Sequence, residues 1–196
     1  MITITELLII MATLPVPYEH AKETKTQRFE RLRPVASAIH GAAQRATCYG
    51  RVECSAYWSG SKNQAIAALV STGWWESRFA QRIIDHKCRK NECDSVLLPD
   101  GTVFHKSAGA WQQQAGGVVT VLEWQRLPGS PRRQAWAAVR TLGRSKDACK
   151  TPAGMFSMYG TGKHCGWAGA VPRVRTYNKV LRKLDAIRDV EAMVKG

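Results

Sequence analysis

The chain has 196 residues, enough for one domain with a sizeable core. It carries 29 Lys and Arg against 15 Asp and Glu, a net charge of +14, which points to an anionic partner such as nucleic acid, an anionic membrane surface or a bacterial cell wall. The charge is scattered through pairs such as Arg31/Arg33, Arg132/Arg133 and Arg173/Arg175, densest at 87–90; no continuous basic tract exists, which argues against a DNA-binding arm, and a solvated basic surface is the plain alternative.

Residues 1–27 read as an N-terminal extension that packs on the domain or on a partner. Leu7 to Val16 is mostly apolar but is preceded by Glu6 and by no Lys or Arg, so a secretory signal is not indicated. The stretch is also far shorter than the roughly 20 apolar residues a spanning helix needs, and no transmembrane span is expected. The domain proper is expected over 28–193. A first helix over 28–46 places Phe29, Leu32, Val35, Ala36, Ile39 and Ala43 on one face. A loop follows from Cys48 to Gly60, and Ser59 or Ser61 can cap a second helix over 62–75. Residues 80–106 break the helical pattern; Pro99-Asp100-Gly101 is a turn signal between short β-prone runs and suggests a small hairpin. Helical character returns near Trp111 and continues to about Leu127, interrupted at Gly116-Gly117. Beyond the turn at Pro128–Pro131 come helices over about 132–147, 152–159 and 172–193. The fold class is mainly α, one helical domain with a small irregular or β-hairpin insertion.

The second helix carries the most informative residue. Ile66, Leu69, Val70, Gly73 and Trp74 follow the spacing of a core helix, and Glu76 stands at its end. Apolar burial and the negative end of the helix dipole both disfavour the charged carboxylate there. A carboxylic acid that keeps its proton near neutral pH is what cleavage of a glycosidic bond requires as its general acid. A solvated Glu just past a helix end is the bland alternative.

Six cysteines form three local pairs, Cys48/Cys54, Cys88/Cys93 and Cys149/Cys165, which suggests disulfides and an oxidising destination, although other connectivities are open. Zinc held by His86, Cys88, Cys93 and His105 is the competing reading, but the spacing of zinc motifs is absent, so neither metal nor cofactor is expected.

Three separated segments now align. They are Glu76-Ser77-Arg78-Phe79, Ser107-Ala108-Gly109-Ala110-Trp111-Gln112, and Met158-Tyr159-Gly160-Thr161-Gly162 followed by Tyr177. In this order they resemble the soluble lytic transglycosylase and goose-type lysozyme superfamily, over about residues 60–185. The resemblance implies an α+β lysozyme-like fold with Glu76 as catalytic acid. It implies that Ser77 helps orient the site, that Ser107, Gly109 and Gln112 line the sugar cleft, Gly109 by letting backbone approach the substrate, and that Tyr159 and Gly162 belong to a third motif whose Tyr lies near the catalytic carboxyl. Trp111 is a further candidate for the cleft because an aromatic face stacks on a pyranose ring, with core packing as the plain alternative. The sequence departs from the family at Ala110-Trp111, where the family has Leu-Met, and at Gly160, where it has an Asn that helps place the substrate's N-acetyl group.

The implied substrate and partner is peptidoglycan, and the implied activity is that of a lytic transglycosylase, in which one acid suffices. A hydrolytic lysozyme of the inverting type needs a second carboxylate about 6.5–9.5 Å away, for which Asp85, Glu92, Asp94 and Asp100 are the candidates. A phage enzyme acting from the virion or in the host periplasm and cell wall fits the reading, with other virion proteins as a further expected partner class. The alternative from another class is a non-catalytic virion or wall-binding protein on the same scaffold. A specific nucleic-acid binder finds no motif in support.

Overall fold

A computed structural model of the protein describes residues 2–16, 20–47, 57–89 and 93–195. Among these are eight α-helices, all but α5 contributing to one main core: α1 (Ile4–Ala12), α2 (Lys25–Thr47), α3 (Lys62–Ser77), α4 (Gln81–Ile84), α5 (Val121–Gln125), α6 (Pro131–Cys149), α7 (Pro152–Thr161) and α8 (Val171–Lys195). Helix α3 is the axis of the fold. Ser61 and Gln64 form a reciprocal capping box at its start, and every residue from Ala65 to Trp74 is buried. A helix that is apolar on all sides must be covered on all sides, and α2, α6 and α8 pack around it.

The core crosses the boundary expected at residue 28. Helix α1 opens with its own capping box, Thr3 with Glu6, and buries Leu7, Leu8, Ile10 and Met11 against α2 and α8. None of the helices among the described residues is long and apolar enough to cross a membrane.

The segment after α3 contains the expected hairpin. Strand β1 (Ser95–Leu97) pairs antiparallel with β2 (Val103–His105), Ser95 opposite His105 and Leu97 opposite Val103. Its turn is closed by Asp100, whose Oδ1 accepts from the Thr102 amide at 2.9 Å and the Thr102 hydroxyl at 2.7 Å. A second, smaller pair joins β3 (Ser107–Ala108) to β4 (Gln113–Gln114). This corrects the helix expected from Trp111 to Leu127: only α5 is helical there. Gly109 at φ 75° and Gln112 at φ 48° reverse the chain in the left-handed region, and that tight turn presses Trp111 inward.

Disulfides join Cys88 to Cys93 and Cys149 to Cys165, as the local pairing anticipated. Cys48 and Cys54 lie outside the described residues.

Candidate active site

Glu76 sits in the last turn of α3, two residues before a sharp reversal. Arg78 and Phe79 both adopt positive φ, 55° and 54°, and end the helix. Ser77 holds this reversal together: its buried hydroxyl donates to the Gly73 carbonyl at 3.0 Å and accepts from the Phe79 amide at 3.1 Å. Gly73 makes room for the folded-back ring, since a Cβ there would lie 2.4 Å from Phe79. Arg78 caps the outside, its guanidinium 3.6 Å above the Trp74 ring and 4.6 Å from that of Trp75. Trp74 is core, and the Trp75 indole donates to Thr176 of α8 at 2.9 Å.

The Glu76 side chain is 18% exposed, and its Oε1 accepts from Arg173 Nη2 of α8 at 2.7 Å. Two effects oppose each other. Burial raises the pKa of the carboxyl, the Arg173 charge and hydrogen bond lower it, and the charge of Asp94 raises it again; the balance stands above the ordinary value of 4.5. Tyr159, from α7, belongs to the same electrostatic unit. Its pKa lies well above 10.0, first because the phenol is buried and then because Glu76 carries charge nearby. The phenol donates to the Trp111 carbonyl and accepts from the Gln113 side-chain amide. Gln113 is fixed in turn by Thr141, whose hydroxyl donates to its Oε1 at 2.9 Å.

Asp94 is the other carboxylate acting on Glu76. It lies on the loop between the Cys88–Cys93 disulfide and β1, with Cys93 and Asp94 both at positive φ. Its Oδ2 accepts from Ser107 Oγ at 2.7 Å and from Gln114 Nε2 at 2.8 Å, so the short β3–β4 pair aims an exposed carboxylate. Of the other candidates, Asp85 accepts from Gln81 and Asp100 closes the hairpin turn, while Glu92 lies outside the described residues.

Several residues expected to line a sugar cleft do other work. Trp111 is fully buried; its indole donates to the Leu69 carbonyl of α3 at 2.8 Å and its ring packs on Phe79, so it cannot stack on a sugar. Gly109 allows a close approach, but to protein: a Cβ there would lie 2.4 Å from Cδ of Gln134. Gln134 is itself fully buried and uses its whole amide, accepting from the Ala110 amide at 2.9 Å and donating to the Ile84 and Leu127 carbonyls at 2.8 Å each. Ser107 is buried beneath Asp94 rather than open to a cleft. Gln112 folds back onto the Gly109 carbonyl at 2.9 Å. Gly162 is the left-handed C-cap of α7, φ 70°, and its amide donates to the Met158 carbonyl.

Arg173, beside Glu76, and Trp167, beside Arg173, carried no signal in the sequence beyond their type. Arg173 read there only as half of a basic pair. Trp167 sits on the loop between α7 and α8, 41% exposed, with the Arg173 guanidinium 5.2 Å from its ring centre. Its ring lies where side chains at two positions would go: a Cβ at Gly160 would be 2.9 Å from it and one at Gly169 2.1 Å. Gly160 therefore gives up a side chain to admit the Trp167 ring. The loop is anchored by Ser157, whose hydroxyl donates to the His164 carbonyl and accepts from the Trp167 amide, both at 2.6 Å, and by the Cys149–Cys165 disulfide.

The zinc alternative loses two of its four ligands to the Cys88–Cys93 disulfide. Among the described residues no three His, Cys, Asp or Glu side chains gather where a metal ion could be held. What the site offers is one shielded carboxyl inclined to keep a proton, a neutral phenol beside it, an arginine on it, and an exposed carboxylate and indole at its edges. Comparison of the chain with protein-family models, with curated proteins and with solved structures finds no match.

Proposed function

We propose that the protein cleaves the glycan strands of peptidoglycan as a lytic transglycosylase, with Glu76 as its single acid and base. The observation that carries this reading is the shielded Glu76 carboxyl, whose pKa burial raises in spite of a direct arginine contact. A protonated Glu76 gives its proton to the departing glycosidic oxygen as the bond to C1 breaks. The resulting carboxylate takes the proton of the same sugar's C6 hydroxyl, whose oxygen closes on C1. The products are a 1,6-anhydro end and a free hydroxyl on the leaving sugar, and no water is consumed. Tyr159, kept neutral, is an uncharged neighbour that does not neutralise the acid. The two disulfides fit an oxidising site of action, in the virion or in the host periplasm and cell wall.

One observation favours a second reading, hydrolysis by a lysozyme of the same arrangement. Asp94 is a fixed, exposed carboxylate that acts electrostatically on Glu76, and such a group can activate water. Digestion of purified peptidoglycan by the wild type and by Glu76→Gln, read by mass spectrometry, separates these outcomes. Anhydro-muropeptides from the wild type, reduced about 10²–10⁴-fold in Glu76→Gln, are expected. Reducing-end products that vanish in Asp94→Asn would establish the lysozyme. No product from a folded wild type would refute both and leave a wall-binding or structural protein.

A further inference from the structure

Helix α3 opens at Lys62 and reaches Glu76 about 20 Å further along its axis. Around Lys62 lies a cavity of about 1040 Å³ that shares no residue with the candidate active site. Its walls come from the outer face of α2, the first turn of α3, the first two turns of α6, the C-terminal half of α8 and Ile2. Four cationic side chains line it, Arg45, Lys62, Arg132 and Arg188, and no Asp or Glu does. Arg188 is held by Asp189 at 3.2 Å and Asp185 at 3.6 Å, and Arg45 lies 4.1 Å above the Trp136 ring.

Lys62 is the least well served of the four. It is half-buried, and it stands at the first position of α3, where the helix dipole disfavours a cation. Its Nζ is 2.9 Å from His40 Nε2, and the same ring nitrogen is 3.1 Å from the Ile2 carbonyl. That nitrogen cannot accept from the ammonium and donate to the carbonyl at once, so one of the two contacts is always unmade. Burial pulls the Lys62 pKa below its ordinary 10.5, and burial, then the Lys62 charge, pulls that of His40 below 6.5. Among the described residues no carboxylate pairs with Lys62. The rest of the cavity is apolar and shaped by small residues. Ala38 and Ala42 of α2 and Leu184 of α8 are buried along it, and Gly41 stands between the two alanines in mid-helix. Glycine weakens a helix interior, and neither of its usual reasons applies at this position. Gly41 is not in the left-handed region, and a Cβ on it would meet nothing within 4 Å. What the missing side chain leaves is open space in the cavity.

We propose that this cavity binds an amphipathic anion, a phosphate or carboxylate head that carries an alkyl or acyl chain. The head pairs with Lys62, and the other lining cations give it a positive surround with no acid to repel it. It supplies the acceptor that His40 cannot offer without releasing Ile2, and it offsets the repulsion at the helix end. The chain lies over Gly41 against Ala38, Ala42 and Leu184, where each fully buried methylene tightens binding up to about fourfold. The volume is in the range of pockets that enclose a small ligand, mostly apolar with a few charged groups that fix its orientation. A phosphodiester polymer such as nucleic acid would use the cations and leave the apolar wall unused. A free amphiphile and a bilayer lipid share the required chemistry. The site is independent of Glu76 and of glycan cleavage.

The test titrates octyl phosphate, neutral octyl glucoside and inorganic phosphate into the full-length protein by calorimetry, below micelle-forming concentrations and at physiological ionic strength. Folding of each variant is checked by circular dichroism. The wild type is expected to bind octyl phosphate about tenfold or more tightly than either of the others, and hexyl phosphate several-fold more weakly than octyl phosphate. Lys62→Gln should lower the affinity for octyl phosphate about tenfold and leave that for octyl glucoside as it is. Gly41→Leu fills the cavity without changing its charge. It should lower the affinity by a similar factor while the Tm stays equal or rises, because leucine is the better helix former. Octyl glucoside or inorganic phosphate bound as tightly as octyl phosphate, affinity unchanged in Gly41→Leu, an oligonucleotide that displaces octyl phosphate, or no saturable binding at millimolar concentration would overturn the proposal. Vesicles of phosphatidylglycerol and phosphatidylcholine then separate the two sources. Co-sedimentation that falls in both Lys62→Gln and Gly41→Leu assigns the site to a bilayer lipid. Octyl phosphate binding with no co-sedimentation, or with co-sedimentation that neither variant changes, assigns it to a soluble amphiphile.

Discussion

Replacing Gly109 by alanine gives a direct measure of what the second sequence motif does. A methyl at this position meets Gln134 at 2.4 Å from Cδ and at 2.6 Å from both Cγ and Oε1, and the backbone stands at φ 75°. The left-handed conformation costs a non-glycine residue about 1–2 kcal/mol. Gln134 is fully buried and makes three hydrogen bonds, so shifting it leaves at least one of the Ala110 amide, Ile84 carbonyl and Leu127 carbonyl unpaired, for about 1–3 kcal/mol more. The sum is about 2–5 kcal/mol, which lowers the Tm of a chain this size by roughly 4–20 °C. Thermal unfolding followed by circular dichroism reads it. The double variant Gly109→Ala/Gln134→Ala removes the obstacle, so its loss should be clearly smaller than the two single losses added together. A Gly109→Ala protein within 1 °C of wild type, or strictly additive losses, would refute the packing role. Activity lost at unchanged stability would return Gly109 to the substrate.

Two further outcomes follow from the same geometry. Glu76 holds its proton more tightly when folded than when unfolded, so its contribution to stability is fully present below pH 4.5 and is lost as pH rises from there through its raised value. The Tm of the wild type minus that of Glu76→Gln should therefore fall over that rise in a series of melting curves, and a flat or rising difference would contradict the raised pKa. The Cys149–Cys165 disulfide closes a loop with a sequence separation of 16, so Cys149→Ser/Cys165→Ser should lose about 3 kcal/mol, seen as a Tm lower by roughly 6–12 °C. A loss below about 1 kcal/mol would mean that Ser157 and the packing of Trp167 hold the loop without it.

What was legible in the sequence was what depends on neighbours in the chain. Helix α3 announces itself through the helical spacing of Ile66, Leu69, Val70, Gly73 and Trp74, and of the two candidate caps, Ser59 and Ser61, it is Ser61 that starts it. Pro131 and Pro152 stand in the first turns of α6 and α7, where a missing amide hydrogen costs nothing. The raised pKa of Glu76 follows from its place at the end of that apolar run. The failures share another cause. Trp111 belongs to a short apolar stretch that reads as helix, yet its conformation is set by Leu69 and Phe79, residues far away in the sequence. Gly109 reads as open backbone until Gln134 is seen to fill the space, and Gly160 reads as a lost side chain until Trp167 is seen to use it. The Arg173–Glu76 contact leaves no local trace, because a charge in an exposed-looking pair gives no hint of which carboxylate lies across the core.

That contact also bears on how the protein is made. Glu76 and Arg173 are 97 positions apart, and the pair is closed only when α8 has docked against α3. During vectorial synthesis α3 and α6 emerge while α8 is still unmade, so the nascent chain holds Glu76 without its arginine and without the helix that shields it. Completion of the site is thereby tied to completion of the fold, and contacts of such long range form late because the chain between them must first be ordered. A partly folded chain exposes an ordinary solvated glutamate, and the unusual carboxyl exists only in the finished molecule.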